Sequence, residues 1–481
     1  MNNKKSIILT FFFIAVIIIG ISLVSCTNQS SKGMIIVARV PVDNFSFNEE
    51  NICHNFPGAC LMAINLAESA GSEINLTPDF YSACFPQISY DAKHLLFTGQ
   101  KNKSDPWQVW EMDLKNKKSR KVTDFEESCY TQDYLPGERL VFSREMPDTG
   151  TGPSRALFTM NLDGSNLQQI TFHPHINYVQ TILRDGRILM LSKQIFPKKG
   201  EIKSLAIRPN GTKAEIFYKG IKGSIAGVRV RETGKGLIYF TEQDTGKLKK
   251  RDIVSIHQNR PLHTKVNYTK DIAGSFYSVL PASSKELLVS FCPSGDQSIG
   301  LYTFNIDDKS VKESLPGGSK YHFIDPVLVE PYERPRNLPI MELNLSYPTG
   351  LIMCQDINLT ALTGNNGESI PKATKIEVLG MNKSLGIVPV EEDGSFFLKV
   401  IADLPFRIRT LDENNKVIVS SSDWIWIRPF ERRGCVGCHE DHELAPKNIV
   451  PLAVNGWPVL IPVDTINSLE KRKTFELGDM H

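Results

Sequence analysis

Late in the 481-residue chain stands Arg432-Arg433-Gly434-Cys435-Val436-Gly437-Cys438-His439. Cys-x-x-Cys-His is the attachment signature of c-type haem. Two thiols held by a tight two-residue loop reach the two vinyl groups on one porphyrin edge. The imidazole that follows falls beneath the ring, where it can bind iron. Gly434 and Gly437 ease that tight path. Cys435, Cys438 and His439 are therefore the candidate cofactor-binding residues, with His439 as the iron ligand. Other chemistries use the same atoms. Cys435, Cys438, His439 and His442 could hold zinc, although four ligands so close in sequence, two of them adjacent, close a tetrahedron poorly. A thioredoxin-like pair calls for βαβ surroundings, which the flanking sequence lacks. A disulfide across two residues would be strained. Arg428, Arg432 and Arg433 flank the motif and either pair with haem propionates or form a solvated basic turn. Glu440, Asp441 and Glu443 read as surface charge, and His442 as a second metal ligand or an exposed side chain.

Covalent haem attachment takes place outside the inner membrane, so the chain needs an export signal. Lys4 and Lys5 precede an almost wholly apolar run from Ile7 to Val24, which ends at Leu23-Val24-Ser25-Cys26. Basic start, apolar middle and small-residue exit make such a signal. The ending resembles the lipobox of bacterial lipoproteins, which implies cleavage before Cys26 and acylation of its thiol. The expected location is a membrane-anchored lipoprotein facing the periplasm or the cell surface. A plain transmembrane anchor is the alternative, since the run is barely long enough to span. Of nine cysteines, Cys26 goes to lipid and Cys435 and Cys438 to the motif. Cys53, Cys60, Cys84, Cys129, Cys292 and Cys354 remain, as disulfides or as buried thiols.

The elements that position the motif are read from pattern. Hydrophobic residues make up 41% and charged residues 22%, which excludes a disordered chain, and a net charge of +2 gives no electrostatic case for nucleic acid. Gly and Pro are spread as turn punctuation, which favours short strands. One phrase recurs: Ile64-Asn65-Leu66, Met112-Asp113-Leu114, Met160-Asn161-Leu162 and Phe304-Asn305-Ile306, spaced by 48, 48 and 144 residues. A second apolar phrase precedes the later copies, as at Leu95-Leu96-Phe97-Thr98 and Leu140-Val141-Phe142-Ser143. A period of 40–50 residues with about four strands per unit indicates a β-propeller. Six units fit between 34 and 317, with breaks after 78, 125, 174, 220 and 268. Residues 161–171 look like the repeats of TolB-like propellers. A β-sandwich with accidental periodicity is the alternative. His173-Pro174-His175 falls at a turn, where a paired-histidine metal site would lack carboxylate support.

A Pro-rich stretch, 318–344, reads as a semi-rigid linker. A second β-rich region follows, with strands expected at 350–357, 373–381, 386–390, 395–401, 404–411 and 416–427. It reads as a small antiparallel sandwich with Phe396, Phe397, Phe406, Trp424 and Trp426 in its core. Residues 451–481 form a tail. The chain is thus expected to be all-β: a six-bladed propeller, then a sandwich carrying the motif.

Residues from about 345 to 450 resemble the middle domain of the hydrazine synthase alpha subunit. The resemblance rests on Leu-Gly-Ile-Val-Pro-Val-Glu-Glu-Asp-Gly-Ser-Phe (385–396), on Trp-Ile-Trp-Ile-Arg-Pro-Phe-Glu-Arg-Arg-Gly-Cys-Val-Gly-Cys-His-Glu-Asp (424–441) and on Leu-Ala-Pro-Lys-Asn (444–448). It implies a propeller followed by a domain that binds haem through Cys435 and Cys438. Two departures matter. The family ligates this iron with a tyrosine shortly after the motif, and no tyrosine follows Tyr347 here. The family also carries a further haem domain, and these 481 residues hold no second Cys-x-x-Cys-His. The expectation is a relative sharing propeller and middle domain, with one haem c and a redox, electron-transfer or small-ligand role. Its partners would be the membrane, through the lipid, and a redox protein or small molecule. A propeller binding module with a structural or zinc-holding motif is the other reading. Hydrazine synthesis is not implied.

Overall fold

The computed structural model describes residues 33–45, 56–66, 73–148, 150–197, 202–220, 224–244, 250–296, 298–339, 348–360, 369–437 and 448–462. Cys26, Cys53 and the apolar run 7–24 lie outside them, and no described helix is long and apolar enough to cross a membrane. The architecture is all-β. Its only described helices are two short 3-10 turns, Val42–Asn44 and Leu452–Asn455.

The repeat period is visible as six four-stranded antiparallel groups. Ser82–Ile88, His94–Gln100, Gln108–Asp113 and Ser119–Lys121 form one of them. Two consecutive groups, beginning at Cys129–Leu135 and His175–Ile182, join into one eight-stranded sheet through a parallel bridge from Arg155 to Ile176. Among the described residues no sheet closes on itself. The recurrent phrase ends the third strand of its group and reaches back. Leu114 N–H donates to Lys93 O (2.9 Å), Leu162 N–H to Glu138 O (2.9 Å) and Ile306 N–H to Lys285 O (2.8 Å). A threonine recurs with it. Thr77, Thr123, Thr171 and Thr269 each accept a third-strand N–H on Oγ1, at 2.8–3.0 Å from Leu61, Val109, Leu157 and Ile253.

The first strands of neighbouring groups are stitched at about the same period. Gln132 Nε2 donates to Phe85 O (2.6 Å), Val179 N–H to Thr131 Oγ1 (3.1 Å), Gln180 Nε2 to Gly227 O (2.8 Å) and Asp325 N–H to Ser278 Oγ (3.2 Å), with separations of 47 or 48 residues. Register shifts in these strands, such as those between Tyr130 and Asp133 and between Ala226 and Val230, are the bulges that turn side chains inward. Burial there holds the Asp133 carboxyl up at about 6, against the pull of Arg231 and Arg229. Between groups the packing is apolar. Leu96 and Val109 of one group meet Leu140, Phe142 and Phe158 of the next.

Part of the expected linker is structural. Tyr321–Leu328 pairs antiparallel with the N-terminal strand Met34–Pro41, joining the two ends of the repeat region. Pro326 sits within it without conflict, because an edge strand tolerates a missing N–H. The chain then straps across the groups. Tyr332 donates N–H to Tyr90 O (3.1 Å) and its hydroxyl to Ile88 O (2.9 Å), and Arg336 N–H donates to Arg184 O (3.0 Å). Gly186, at φ +91°, is required beneath the strap, since a Cβ there would collide with Arg336 O.

The second region forms two four-stranded sheets sharing one apolar core of Ile352, Ile376, Val378, Phe396, Leu398, Phe406 and Ile427. One sheet runs Ser384–Pro389, Lys375–Leu379, Arg407–Leu411, Val417–Val419. The other runs Arg432–Cys435, Thr349–Cys354, Phe396–Ile401, Val459–Ile461. Its two outer strands add in parallel, which differs from the expected antiparallel arrangement. Long returns permit this, because a parallel pair needs a connection of roughly a dozen residues or more and both pairs here are far apart in the chain. Val459–Ile461 also makes part of the expected tail an edge strand.

The threonine repeat gives a test. Thr171→Val keeps the shape but leaves the buried Leu157 N–H without its acceptor. Stability should fall by about 1–3 kcal/mol in urea unfolding. An unchanged midpoint would show that the hydroxyl bond adds nothing.

Candidate functional site

The first half of the motif is part of a sheet. Arg432–Cys435 is an edge strand whose Cα positions register with Leu351, Ile352, Met353 and Cys354. Three hydrogen bonds extend the pairing at its two ends: Leu351 N–H to Glu431 O (2.8 Å) before the strand, and Gln355 N–H to Cys435 O (2.9 Å) and Asp356 N–H to Val436 O (3.0 Å) at its far end. The Cys435 side chain is half-buried against the apolar core. Gly437 passes so close to Leu359 that a Cβ would collide with its carbonyl oxygen, whereas Gly434 has open space around it. Of the two glycines, only Gly437 is required by close approach. Cys438, His439, Glu440, Asp441, His442 and Glu443 lie outside the described residues.

The loops at that end of the sheet are tied together. Ile357 N–H donates to Gly394 O (2.9 Å), Leu452 N–H to Asp393 Oδ2 (2.8 Å) and Ala453 N–H to Ser395 Oγ (3.0 Å). The 391–395 turn thereby brings the 3-10 turn beside the loop that carries Leu359. Leu359, Leu452 and Val454 remain exposed there, and Val450 and Trp457 project still further, at 77% and 96% exposure.

The three flanking arginines part company. Arg428 is buried: Nη1 donates to Asp403 Oδ1 (2.7 Å), Nε to Asn210 O (3.1 Å), and the guanidinium lies 4.8 Å over the Phe172 ring. Burial raises the Asp403 carboxyl, with Arg428 pulling it back down. Arg433 is held by Glu431, through Nη2 (2.9 Å) and Nε (3.2 Å) to Oε1. Only Arg432 is exposed.

Glu431 is the residue that pattern reading passes over. It is buried and accepts from Lys213 N–H (2.9 Å), Arg428 N–H (2.8 Å) and both Arg433 donors. One carboxylate therefore joins the propeller-like region to the strand that ends in Cys435. A lone Glu between Phe and Arg carries no sequence signal for this.

The tryptophans also differ from expectation. Only Val417–Val419 of the expected strand 416–427 is a strand. Trp424 Nε1 donates to Phe196 O (2.9 Å) and Trp426 Nε1 to Gly211 O (3.3 Å). Trp426, 1% exposed, packs with Leu135, Ile170, Met190 and Ile207 of the first region rather than in the second region's core. Phe397 is half-buried, on the face opposite Phe396. Period-two alternation along 416–427 sets Ile418, Ser420, Ser422, Trp424 and Trp426 on one face, and both indoles do turn to the first region. It does not say what that face meets. Lys203 pairs with Asp423 at the same contact (2.7 Å).

His173 stacks on Trp426 at 4.7 Å, and His173 Nε2 and His175 Nδ1 share the Ser192 hydroxyl at 3.0 and 2.8 Å. Burial drives both imidazoles toward neutrality, His173 well below its usual range and His175 down to about 3, with Lys203 adding to the latter. Among the described residues no three His, Cys, Asp or Glu side chains converge as metal ligands.

Residues 352–440 match the family model of the hydrazine synthase alpha subunit middle domain. The chain is 21% identical to hydrazine synthase subunit alpha of Kuenenia stuttgartiensis, over 79% of this chain and 63% of that protein. It thus spans under two thirds of that relative's length. The solved Kuenenia stuttgartiensis hydrazine synthase superposes with a TM-score of 0.73 at 17% identity, covering 88% of this chain and 72% of the other. The expected resemblance is shown, and the fold is shared along most of the chain. TolB from Acinetobacter baumannii superposes with a TM-score of 0.43 at 13% identity, over 63% of this chain and 68% of the other.

Two measurements test the contact. Glu431→Ala removes a buried carboxylate and leaves the partly buried Arg433 guanidinium and the Lys213 and Arg428 N–H groups without their acceptor, which should cost about 2–4 kcal/mol in urea unfolding; a change near zero would mean water replaces the carboxylate. An unfolded chain protonates histidine near pH 6.5, whereas folded His175 does so near about 3. The unfolded state binds more protons between these limits, so this histidine withdraws stability as pH falls from 6.5 toward 3. His175→Gln should therefore lose less stability than the parent between about pH 7 and about pH 4.5. Equal losses would mean the ring protonates without cost.

Proposed function

We propose that this chain is an exported lipoprotein, tethered through Cys26, whose second region carries one c-type haem covalently through Cys435 and Cys438, with His439 on the iron. It works as a redox or electron-transfer protein or in small-ligand chemistry. The observation that carries this reading is the family match over 352–440, because that span contains the whole motif. On the same reading the six four-stranded groups are the blades of a propeller closed by Tyr321–Leu328, and the two later sheets are a sandwich with the motif on its edge strand.

The described residues fit such a group. Cys435 is at a fixed edge, partly open to solvent, and Gly437 lets the chain turn tightly against Leu359. Leu359, Leu452 and Val454 offer exposed apolar surface on the loops tied to that end, and covering them with a flat apolar ring would remove them from water. When bound, haem supplies one-electron and ligand chemistry at iron. The protein's part is to fix the first thiol, to supply the imidazole of His439 and to shed water from the ring. Arg428 and Arg433 are committed to Asp403 and Glu431, which leaves Arg432 as the flanking arginine open to a propionate. With no tyrosine after the motif, the iron ligand falls to His439.

The test is the visible spectrum of protein made with a haem-maturation system. A haem band that survives denaturation supports the proposal, and the reduced protein should then take up carbon monoxide, since no nearby described side chain is placed as a strong sixth ligand. Absence of covalent haem, with zinc recovered stoichiometrically, would sink it and favour the binding-module reading.

A further inference from the structure

Cys354 lies outside the Cys-x-x-Cys-His motif, yet the fold sets it beside the motif's first thiol. Cys354 and Cys435 are Cα partners in the parallel pairing of Thr349–Cys354 with Arg432–Cys435. Neighbouring strands lie roughly 4.8 Å apart. That is inside the roughly 4.4–6.8 Å Cα range a disulfide can bridge. Register partners present their side chains on the same sheet face, and both of these thiols pack against the same apolar core as Ile352 and Phe396. The backbone at the site is held by the bond from Gln355 N–H to Cys435 O (2.9 Å). The two side chains therefore start from adjacent register positions on one sheet face, where the structure holds them as thiols.

Their exposures differ in a useful way. Cys354 is 1% exposed, whereas Cys435 is half-buried. A dissolved oxidant meets Cys435 first, and Cys354 then acts from within. The remaining described cysteines, Cys60, Cys84, Cys129 and Cys292, all belong to the propeller-like region, and burial pushes the Cys129 thiol up to about 12.

We propose that Cys354 and Cys435 form a cross-strand disulfide in the haem-free protein, making Cys354 a redox guard on the motif's first thiol. With a low-molecular-weight disulfide such as oxidised glutathione as oxidant, the Cys435 thiolate attacks one sulfur, the external S–S bond breaks and one glutathione leaves as its thiol. Cys354 then attacks Cys435 Sγ in the mixed disulfide, the Cys354–Cys435 bond forms and the second glutathione leaves. Two electrons pass to glutathione, and the two protein thiol protons end on the two glutathione thiols. A thioether to Cys435 needs the free thiol, so reduction of this bond precedes haem attachment. That last consequence rests on the haem reading, whereas the disulfide itself does not.

The test uses the full chain made without haem maturation, equilibrated with oxidised glutathione, alkylated and digested with trypsin. The peptide 337–372, which holds Cys354, should appear linked to 434–447, which holds Cys435 and Cys438. The link should disappear after reduction, persist in Cys438→Ser and be lost in Cys435→Ser. Full alkylation of 337–372, or oxidation confined within 434–447, would overturn the proposal. The parent chain alone decides between these outcomes if a variant fails to fold. Parallel maturation with haem separates the two readings: a linked haem-free chain that never takes haem leaves the guard standing and removes the haem. A chain that takes haem but never shows the link does the reverse.

Discussion

The Glu431 carboxylate connects everything that bears on the motif. It accepts from Lys213 of the propeller-like region, from the Arg428 backbone and from the Arg433 guanidinium, and its own residue stands directly before the strand that ends in Cys435. A buried carboxylate without partners would cost several kcal/mol, so the fold is constrained to keep all of these donors in place at once. That requirement fixes the pitch of the motif strand against both regions. It also takes Arg433 away from any ligand beside the motif.

Charge alone would not hold the two regions together. A buried ion pair returns little beyond its own desolvation cost. The apolar term is larger. An aromatic side chain buries 150–250 Å², worth about 4–6 kcal/mol at ~25 cal/mol per Å² as an upper figure. Trp426 makes such a contact among Leu135, Ile170 and Ile207. The division of labour follows: the indole supplies most of the attraction, while Arg428, Glu431 and Lys203 with Asp423 set its direction. Specific orientation matters here because the motif strand begins only a few residues after the indole.

The repeat region obeys a different economy. Each four-stranded group is apolar on both faces and cannot fold alone, so neighbours cover one another. The polar stitching of first strands and the threonine that accepts a third-strand N–H in four of the six groups recur because these groups face the same geometry. Tyr321–Leu328 is needed for a related reason, since the N-terminal strand would otherwise leave one edge unpaired.

Much of this was legible in the sequence, and for a reason that can be stated. The 48-residue period, the short strands and the Cys435-x-x-Cys438-His439 spacing are local properties, set by backbone geometry and by chemistry along the chain. They determined the all-β class, the six repeating groups and the candidate thiols. The alternation that sets Trp424 and Trp426 on one face was equally local, and both indoles do turn to the first region. What that face meets was not, because a period-two pattern records that side chains are buried and not against what. Tertiary structure alone decided that Trp426 enters the neighbouring region, that Glu431 ties three elements, and that Tyr321–Leu328 returns to the first strand. It alone put Cys354 beside Cys435. These are contacts between residues tens to hundreds of positions apart, and their energies depend on packing that no local pattern encodes.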